Sequence, residues 1–404
     1  MSAALAIDGG APLRSRGLPS WPHFAEDEVA AVAGVLRSGK VNQWTGCEVG
    51  AFESAYADAL GVPHAIAVAN GTLALELALM ALGIGSGAEV ITTTRTFIAS
   101  ASAIVIRGAV PVIADVDPVT QNVTAATIAA CITPATRAIV AVHLAGWPCD
   151  MPAIMALAES HGLVVIEDCA QAHGATIDGQ PVGTFGHAGA FSFCQDKIIT
   201  TAGEGGLLVL RDEAAFRRAW AFKDHGKSYA AVFEREHPPG FRWLHESFGT
   251  NWRMTEIQAV IGRLQLAKLP AWRARRQANA ARLDRGLADV PGLRLARSPG
   301  NIEHARYKYY MFADREQLQP GWTNRRIAEA VTAEGIPCFT GSCSEIYLEK
   351  AFVGAGLGPA QRLPVAMQLA EESLTLLVHP TLDDADMDDS AAAVAKVMRV
   401  AAAR

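Results

Sequence analysis

The sequence predicts an α/β protein. A large domain with a mostly parallel, doubly wound sheet would occupy residues 1–265, N-terminal segment included. A smaller α+β domain would occupy 266–404. Three observations lead there. Continuous Val/Ile/Ala runs of strand length recur through the first half, as strands buried on both faces require. Helical patterns separate these runs, so successive strands connect by right-handed crossovers and lie parallel. After about residue 265 the texture shifts to a long Arg-rich amphipathic stretch and shorter strands.

Taken in order, HAIAVAN (64–70) is the first strand and TLALELALMALGIG (72–85) a helix ended by glycines. EVITTT (89–94) is a strand, followed by a helix over 96–107 and the strand VPVIADV (110–116). A helix near 124–130 leads to RAIVAVHLAG (137–146), and a helix over 151–161 leads to LVVIEDCA (163–170). AGAFSFC (188–194) and GGLLVL (205–210) complete the set. Beyond it, LPAWRARRQANAARLDRGLADV (269–290) reads as a helix. Short strands near 293–295 and 307–313, a helix over 324–334, a strand near 374–379 and an Ala-rich helix to Arg404 follow. The stretches 295–302 and 354–364 read as loops, and no internal repeat is evident.

Composition excludes several classes. Half of the 404 residues are hydrophobic and 19% are charged, enough for a large core and wrong for a disordered chain. Lys and Arg number 35 against 41 Asp and Glu, a net charge of −6. That balance disfavours a nucleic-acid binder. The most apolar long stretch, 98–116, is broken by Arg107, Pro111 and Asp115, so no membrane span is expected. At the N-terminus an apolar patch precedes the arginines, the reverse of a secretory signal, and a cytoplasmic protein is expected. Cys47, Cys131, Cys149, Cys169, Cys194, Cys338 and Cys343 form no CxxC pair, so neither a metal site nor a disulfide framework is indicated. Most of them are expected to be buried small hydrophobes.

Ligands in open α/β sheets sit beyond the carboxyl ends of the strands. After HAIAVA comes Asn70-Gly71-Thr72 opening a helix, which reads either as an anion site or as a plain N-cap. After LVVIE comes Asp168, then Gln171 and His173. A carboxylate closing a buried apolar strand needs a cationic partner, unless it is only a cap. After AGAFSF comes Cys194-Gln195-Asp196-Lys197 and the glycine-rich TTAGEGG. Lys197 alone would read as a solvated lysine; desolvated, it would be a Schiff-base nucleophile. A phosphate site, a buried carboxylate and a lysine at neighbouring strand ends are together the requirements of pyridoxal 5'-phosphate (PLP) chemistry.

The stretches ANGTLALELAL, TRTFIASASAI, VHLAGWPCDM, IEDCAQAHGA, FSFCQDKIITTAGEGG, KDHGKS and GTNWRMTEIQAVIGRLQL span nearly the whole chain. In that order they resemble the DegT/DnrJ/EryC1/StrS family of PLP-dependent sugar aminotransferases, of the aspartate-aminotransferase fold type. The resemblance implies that Lys197 bonds the cofactor as a Schiff base and shuttles the proton, and that Asp168 keeps the pyridine nitrogen protonated. Gln171 would contact the ring's hydroxyl side and Phe97 would stack on the ring. Gly71, Thr72 and Ser192 would bind the phosphate, joined by Asn251 from the neighbouring subunit of a homodimer with shared active sites. His225, in KDHG, lies near the active site in relatives. Two stretches depart from common family patterns: the turn after the lysine, Lys197-Ile198-Ile199-Thr200-Thr201-Ala202, is longer, and the substrate segment reads CFTGSCSEIYLEKAF. The latter resembles the branch found in bacterial surface-polysaccharide (O-antigen) pathways.

The function this implies is transfer of an amino group from L-glutamate, or less readily L-glutamine, to a keto group on a nucleotide-linked deoxysugar, with pyridoxamine 5'-phosphate as the intermediate cofactor form. Lys223, Lys227, Arg242 and Arg253 lie in the region where an anionic nucleotide sugar would need cations. An inosose aminotransferase of aminoglycoside-type biosynthesis is a second enzyme reading. A non-catalytic regulator on the same fold is a third, and it predicts loss of Lys197 or Asp168, both of which are present.

Overall fold

The computed structural model describes residues 4–236, 240 and 242–402. Its centre is a seven-stranded sheet in the order His64–Val68, Gly206–Leu210, Ala188–Ser192, Val164–Asp168, Thr136–Val142, Glu89–Thr93, Val110–Ala114. The last five of these are parallel to one another, and Gly206–Leu210 runs antiparallel to both its neighbours. Alternate side chains of a strand point to opposite faces. Ile66, Val140, Ile166 and Leu208 therefore enter the core on one face, with Leu75, Leu77 and Ile104. Ala65, Ala67, Phe191, Leu207 and Val209 enter the core on the other face, with Phe52 and Tyr56. Both faces being covered explains why these strands read as unbroken apolar runs.

The helices between strands fall where the periodicity places them, at Gly71–Ala81, Ala99–Ile106, Ala125–Ala129 and Met151–Ser160. The longest helix differs. It begins at Glu256, where Thr255 and Gln258 form a capping box, and continues through Pro270 to Leu287. The division expected at 265/266 thus falls inside one continuous helix, whose second half carries Ala280, Leu283 and Leu287 into the C-terminal core. Leu5 packs in that same core, so the N-terminal segment reaches the C-terminal unit.

That unit holds a four-stranded antiparallel sheet, in the order Leu293–Leu295, Tyr309–Ala313, Ser373–Leu376, Cys338–Phe339. Asn324–Ala333 and Asp384–Ala401 pack on it through Ile327, Val331, Val394 and Val397. The helix expected to run to Arg404 is described to Ala401; residues 403 and 404 lie outside the described residues. Among the described residues no helix is long and apolar enough to cross a membrane. All seven cysteines are free, but only Cys149, Cys169 and Cys338 are buried. The expectation that most would be core residues is corrected, because Cys47 and Cys343 sit in exposed loops.

Candidate active site

Asp168 and Ser192 are the last residues of adjacent parallel strands, so their side chains emerge together at the carboxyl edge of the sheet. The loop after Ser192 brings Lys197 back to the same edge. Across from them lies the C-terminal unit. Between the two opens a cleft of about 830 Å3, lined by Gly71, Thr72, Phe97, Asp168, Gln171, Ser192 and Lys197. Seven residues expected from sequence to hold a cofactor thus share one cavity.

Asn70 resolves the ambiguity at the first strand end. Its side-chain oxygen accepts from the Leu73 N–H at 3.0 Å, so Asn70 is the N-cap. The capping leaves Gly71 and Thr72 as the first helical residues, whose N–H groups have no intrahelical acceptor. The cap reading thus holds, and the two residues beyond it, whose N–H groups have no partner within the helix, line the cleft. A Cβ on Gly71 would lie 2.5 Å from the Ser192 Cβ, so glycine is what lets the helix start approach the Ser192 strand.

Asp168 is 5% exposed. Its Oδ2 accepts from the Ser100 hydroxyl at 2.8 Å and its Oδ1 from the Ala170 N–H at 3.1 Å. Burial pushes the carboxyl up, while these two hydrogen bonds and the Lys197 charge oppose the shift. No Lys, Arg or His among the described residues forms an ion pair with it. A buried carboxylate without a cation is costly. The protonated ring nitrogen of PLP would supply that missing partner, and on this ground the residues fit the cofactor.

The neighbouring polar groups are committed elsewhere. His173 accepts at Nδ1 from the Tyr56 hydroxyl, 2.7 Å away, and donates from Nε2 to the Ser192 carbonyl at 2.8 Å. Burial holds it neutral, its pKa lowered to about 4. Gln171 Oε1 accepts from the Ala145 N–H at 2.7 Å, which fixes the amide and leaves its NH2 group for the cleft. Glu167 points to the opposite face, where it accepts from the Gly183, Phe185 and Gly186 N–H groups and pairs with His143. Glu167, His143 and Cys169 come close together, but the other ring nitrogen of His143 already accepts from the Cys149 N–H. Neither ring nitrogen is thus left for a metal ion.

Lys197 sits with its ammonium 3.6 Å from Asp196 and 5.0 Å from the centre of the Tyr307 ring. The Tyr307 hydroxyl donates to Asp196. The Lys197 carbonyl accepts from the Trp21 indole N–H at 2.9 Å, which ties the N-terminal segment to the lysine loop. The longer turn after the lysine is accommodated by burying Ile198 and Ile199 and by left-handed backbone at Ala202. Phe97 stands in the cleft wall at 69% exposure, an open aromatic face.

Six expected residues, Lys223, His225, Lys227, Arg242, Asn251 and Arg253, do not line this cleft. Lys223 is fully buried and donates to Gln43 Oε1 at 3.1 Å. Arg253 lies 2.6 Å from the buried Asp224, with Lys227 3.0 Å from the same carboxylate oxygen. These cations belong to an internal ionic cluster and do not line this chain's cleft. His225 and Asn251 are exposed on the surface beside that cluster. Val260 and Ile261, on the long helix, are buried within the chain. Met254 is buried too but precedes the helix, as does the half-buried Trp252.

Sequence reasoning missed Ser100, Asp196, Tyr307, Lys308 and Trp21. Ser100 follows Phe97 by three residues at a helix start, a spacing that gives no distinctive signal by itself. Tyr307 and Lys308 come from the start of a strand segment assigned to the distant C-terminal unit.

The family model for the DegT/DnrJ/EryC1/StrS aminotransferase family matches residues 22–395. An L-glutamine:2-deoxy-scyllo-inosose aminotransferase from Streptomyces kanamyceticus is 37% identical over 423 aligned positions, covering 98% of this chain and 97% of the relative. A UDP-N-acetyl-3-dehydro-alpha-D-glucosamine 3-aminotransferase from Acidithiobacillus ferrooxidans is 39% identical over 355, covering 86% and 87%. An X-ray structure of an aminotransferase from Psychrobacter cryohalolentis superposes with a TM-score of 0.92 at 54% identity, covering 93% of this chain and 98% of that one.

Proposed function

The chain belongs to the DegT/DnrJ/EryC1/StrS aminotransferase family and is an aminotransferase, and we propose that it uses PLP to move an amino group from L-glutamate or L-glutamine to the keto group of a nucleotide-linked deoxysugar. The observation that carries this reading is the single cleft shared by Lys197, by Asp168 without an ion-pair partner among the described residues, and by Gly71, Thr72 and Ser192. Bound there, PLP supplies a conjugated cationic ring that takes up the electron pair left when the donor's Cα–H bond breaks.

The chain's own residues do the rest. Gly71 and Thr72 N–H groups and the Ser192 hydroxyl hold the phosphate. Asp168, oriented by Ser100, holds a proton on the ring nitrogen. The Gln171 amide donates to the ring's hydroxyl side, and Phe97 covers a ring face. Lys197 first anchors the cofactor, then its freed amine moves the proton at the donor's Cα. Asn251, exposed and outside its own cleft, serves the other subunit's phosphate in a homodimer. The expected setting is cytoplasmic amino-sugar synthesis for bacterial surface polysaccharide or a related product.

The cleft's volume supports a large second substrate beside the cofactor, and the Acidithiobacillus relative is named for a UDP-linked ketosugar. The Streptomyces relative, matched over 98% of this chain, favours a second reading in which the acceptor is an inosose. The test is to present the enzyme's pyridoxamine 5'-phosphate form with nucleotide ketosugars and inososes and follow return of the PLP absorbance. Response to nucleotide ketosugars supports the first reading. Response to inososes alone establishes the second, and silence towards both classes refutes both.

A further inference from the structure

A second lysine stands in the cleft with no assigned task. Lys308 lines it from the C-terminal unit, half-buried, next to Tyr307. Its ammonium lies 5.0 Å from the centre of the Tyr307 ring, the same distance as the Lys197 ammonium. The two nitrogens are therefore separated by twice that distance at most. Among the described residues the Lys308 side chain forms no hydrogen bond or ion pair, and its ammonium lies over the Tyr307 ring. The nearest carboxylate in the cleft, Asp196, is taken by the Tyr307 hydroxyl and by Lys197.

The charged groups that line the cleft are Asp168, Asp196, Lys197, Glu204 and Lys308. Once Lys197 is bonded to the cofactor, Lys308 is, among this chain's own described lining residues, the one lysine or arginine that keeps a free ammonium. Every α-amino acid donor carries a carboxylate on the carbon that bears its nitrogen. That carboxylate must therefore settle within a few ångströms of the position that Lys197 vacates. The lining carboxylates Asp196 and Glu204 repel it.

Resting on the aminotransferase reading above, we propose that Lys308 is the substrate-binding cation that receives the α-carboxylate of the amino donor. Tyr307 sets its position, since one ring spaces both ammonium groups. Burial pushes the Lys308 ammonium down, helped by Arg276 and Lys197 and opposed by Asp196, so an arriving carboxylate would strengthen its charge. The keto acceptor has no such carboxylate, and the second half-reaction would not need this cation.

The holoenzyme can be titrated with α-methyl-L-glutamate, which lacks the transferable Cα proton, and with γ-aminobutyrate, which is glutamate without its α-carboxylate. The readout is the dissociation constant from the cofactor's absorbance change. In Lys308→Gln, the constant for α-methyl-L-glutamate should rise roughly 10- to 100-fold, the loss of one charge-assisted contact. The constant for γ-aminobutyrate should stay within about threefold, and Lys308→Arg should recover most of the discrimination. The single-turnover reaction of the pyridoxamine form with the ketosugar should also stay within about threefold. Equal effects on both amines, no effect on either, or a loss confined to the ketosugar step would overturn the assignment. If the wild-type holoenzyme responds to no amino donor, the donor reading itself fails and this inference with it.

Discussion

The Ser100 hydroxyl donates to Asp168 Oδ2 across 2.8 Å, joining the helix after one strand to the end of another. Burial works to protonate Asp168, and this hydrogen bond is the largest of the contacts that resist it. Ser100→Ala removes the donor without changing the shape much. The Asp168 carboxyl should then titrate higher, and the acid limb of the activity profile should move to higher pH. At neutral pH turnover should fall roughly 10- to 100-fold, the worth of one buried hydrogen bond to a charged group. Asp168→Asn removes the charge itself and should cost orders of magnitude. A pH–rate profile of Ser100→Ala that overlays the wild type would show that Ser100 has no part in tuning Asp168.

Lys197 is expected to carry the cofactor. Borohydride reduction followed by peptide mapping should place the pyridoxyl group on Lys197, and a label on Lys308 or any other lysine would overturn the assignment. Lys197→Ala should still bind PLP without a covalent bond, because the contacts at Gly71, Thr72, Ser192 and Asp168 do not involve it. Transamination should be lost. Equilibrium dialysis and turnover measurements separate these two outcomes.

How much of this was legible beforehand depends on whether the signal was local. The strand ends at Asn70, Asp168 and Lys197 could be read because the apolar runs stop there and the polar residues follow at once. Their convergence needed only the rule that parallel strands share a carboxyl edge. The C-terminal wall was not legible. Tyr307, Lys308, Phe339 and Ser342 reach the cleft through the packing of one unit on another, and no periodicity encodes that. The surroundings of Lys223 and Arg253 were hidden for a related reason. Their charge is visible in sequence, but the buried Asp224 that engages Arg253 and helps surround Lys223 is a tertiary fact. The long helix, read from Leu269, starts instead at Glu256 behind the Thr255 cap, ahead of the Arg-rich stretch that marks it in the sequence.

His173 gives a pH-dependent stability prediction. It is fully buried, and burial lowers its pKa from 6.5 to about 4. The unfolded chain therefore binds a proton on this ring that the folded chain refuses between those values. Its contribution is fully present above pH 6.5 and is lost as pH falls towards 4, at about 1.4 kcal/mol per unit. His173→Gln loses the contacts to Tyr56 and Ser192 and should be less stable near pH 7.5. Because glutamine does not titrate, its deficit against wild type should narrow by about 2 kcal/mol on going to pH 5. Chemical denaturation at the two pH values measures this, and a deficit that stays constant would show that His173 titrates alike in both states.

The shared-site dimer is the most exposed of these expectations. Asn251 is solvent-exposed and bridges the backbone at Asp224, and it lines no part of its own chain's cleft. Val260 and Ile261 are already buried inside the chain, so their apolar character no longer argues for a partner. Phe248 and Trp243, at 100% and 88% exposure on the same region, are large aromatic surfaces left uncovered. A two-fold interface there would place each Asn251 against the other subunit's anion site. Asn251→Asp puts a carboxylate against the phosphate and should weaken PLP binding, while Lys197→Ala abolishes transamination. If sites are shared, a mixed dimer of the two collects both lesions in one site and leaves the other intact. Equal mixing with random exchange makes about half of the dimers mixed, each with one of two sites whole, so activity should return to about a quarter of wild type. Subunit exchange is verified by differently tagged chains. Exchange without any return of activity, from two inactive parents, would mean that Asn251 does not complete its neighbour's site.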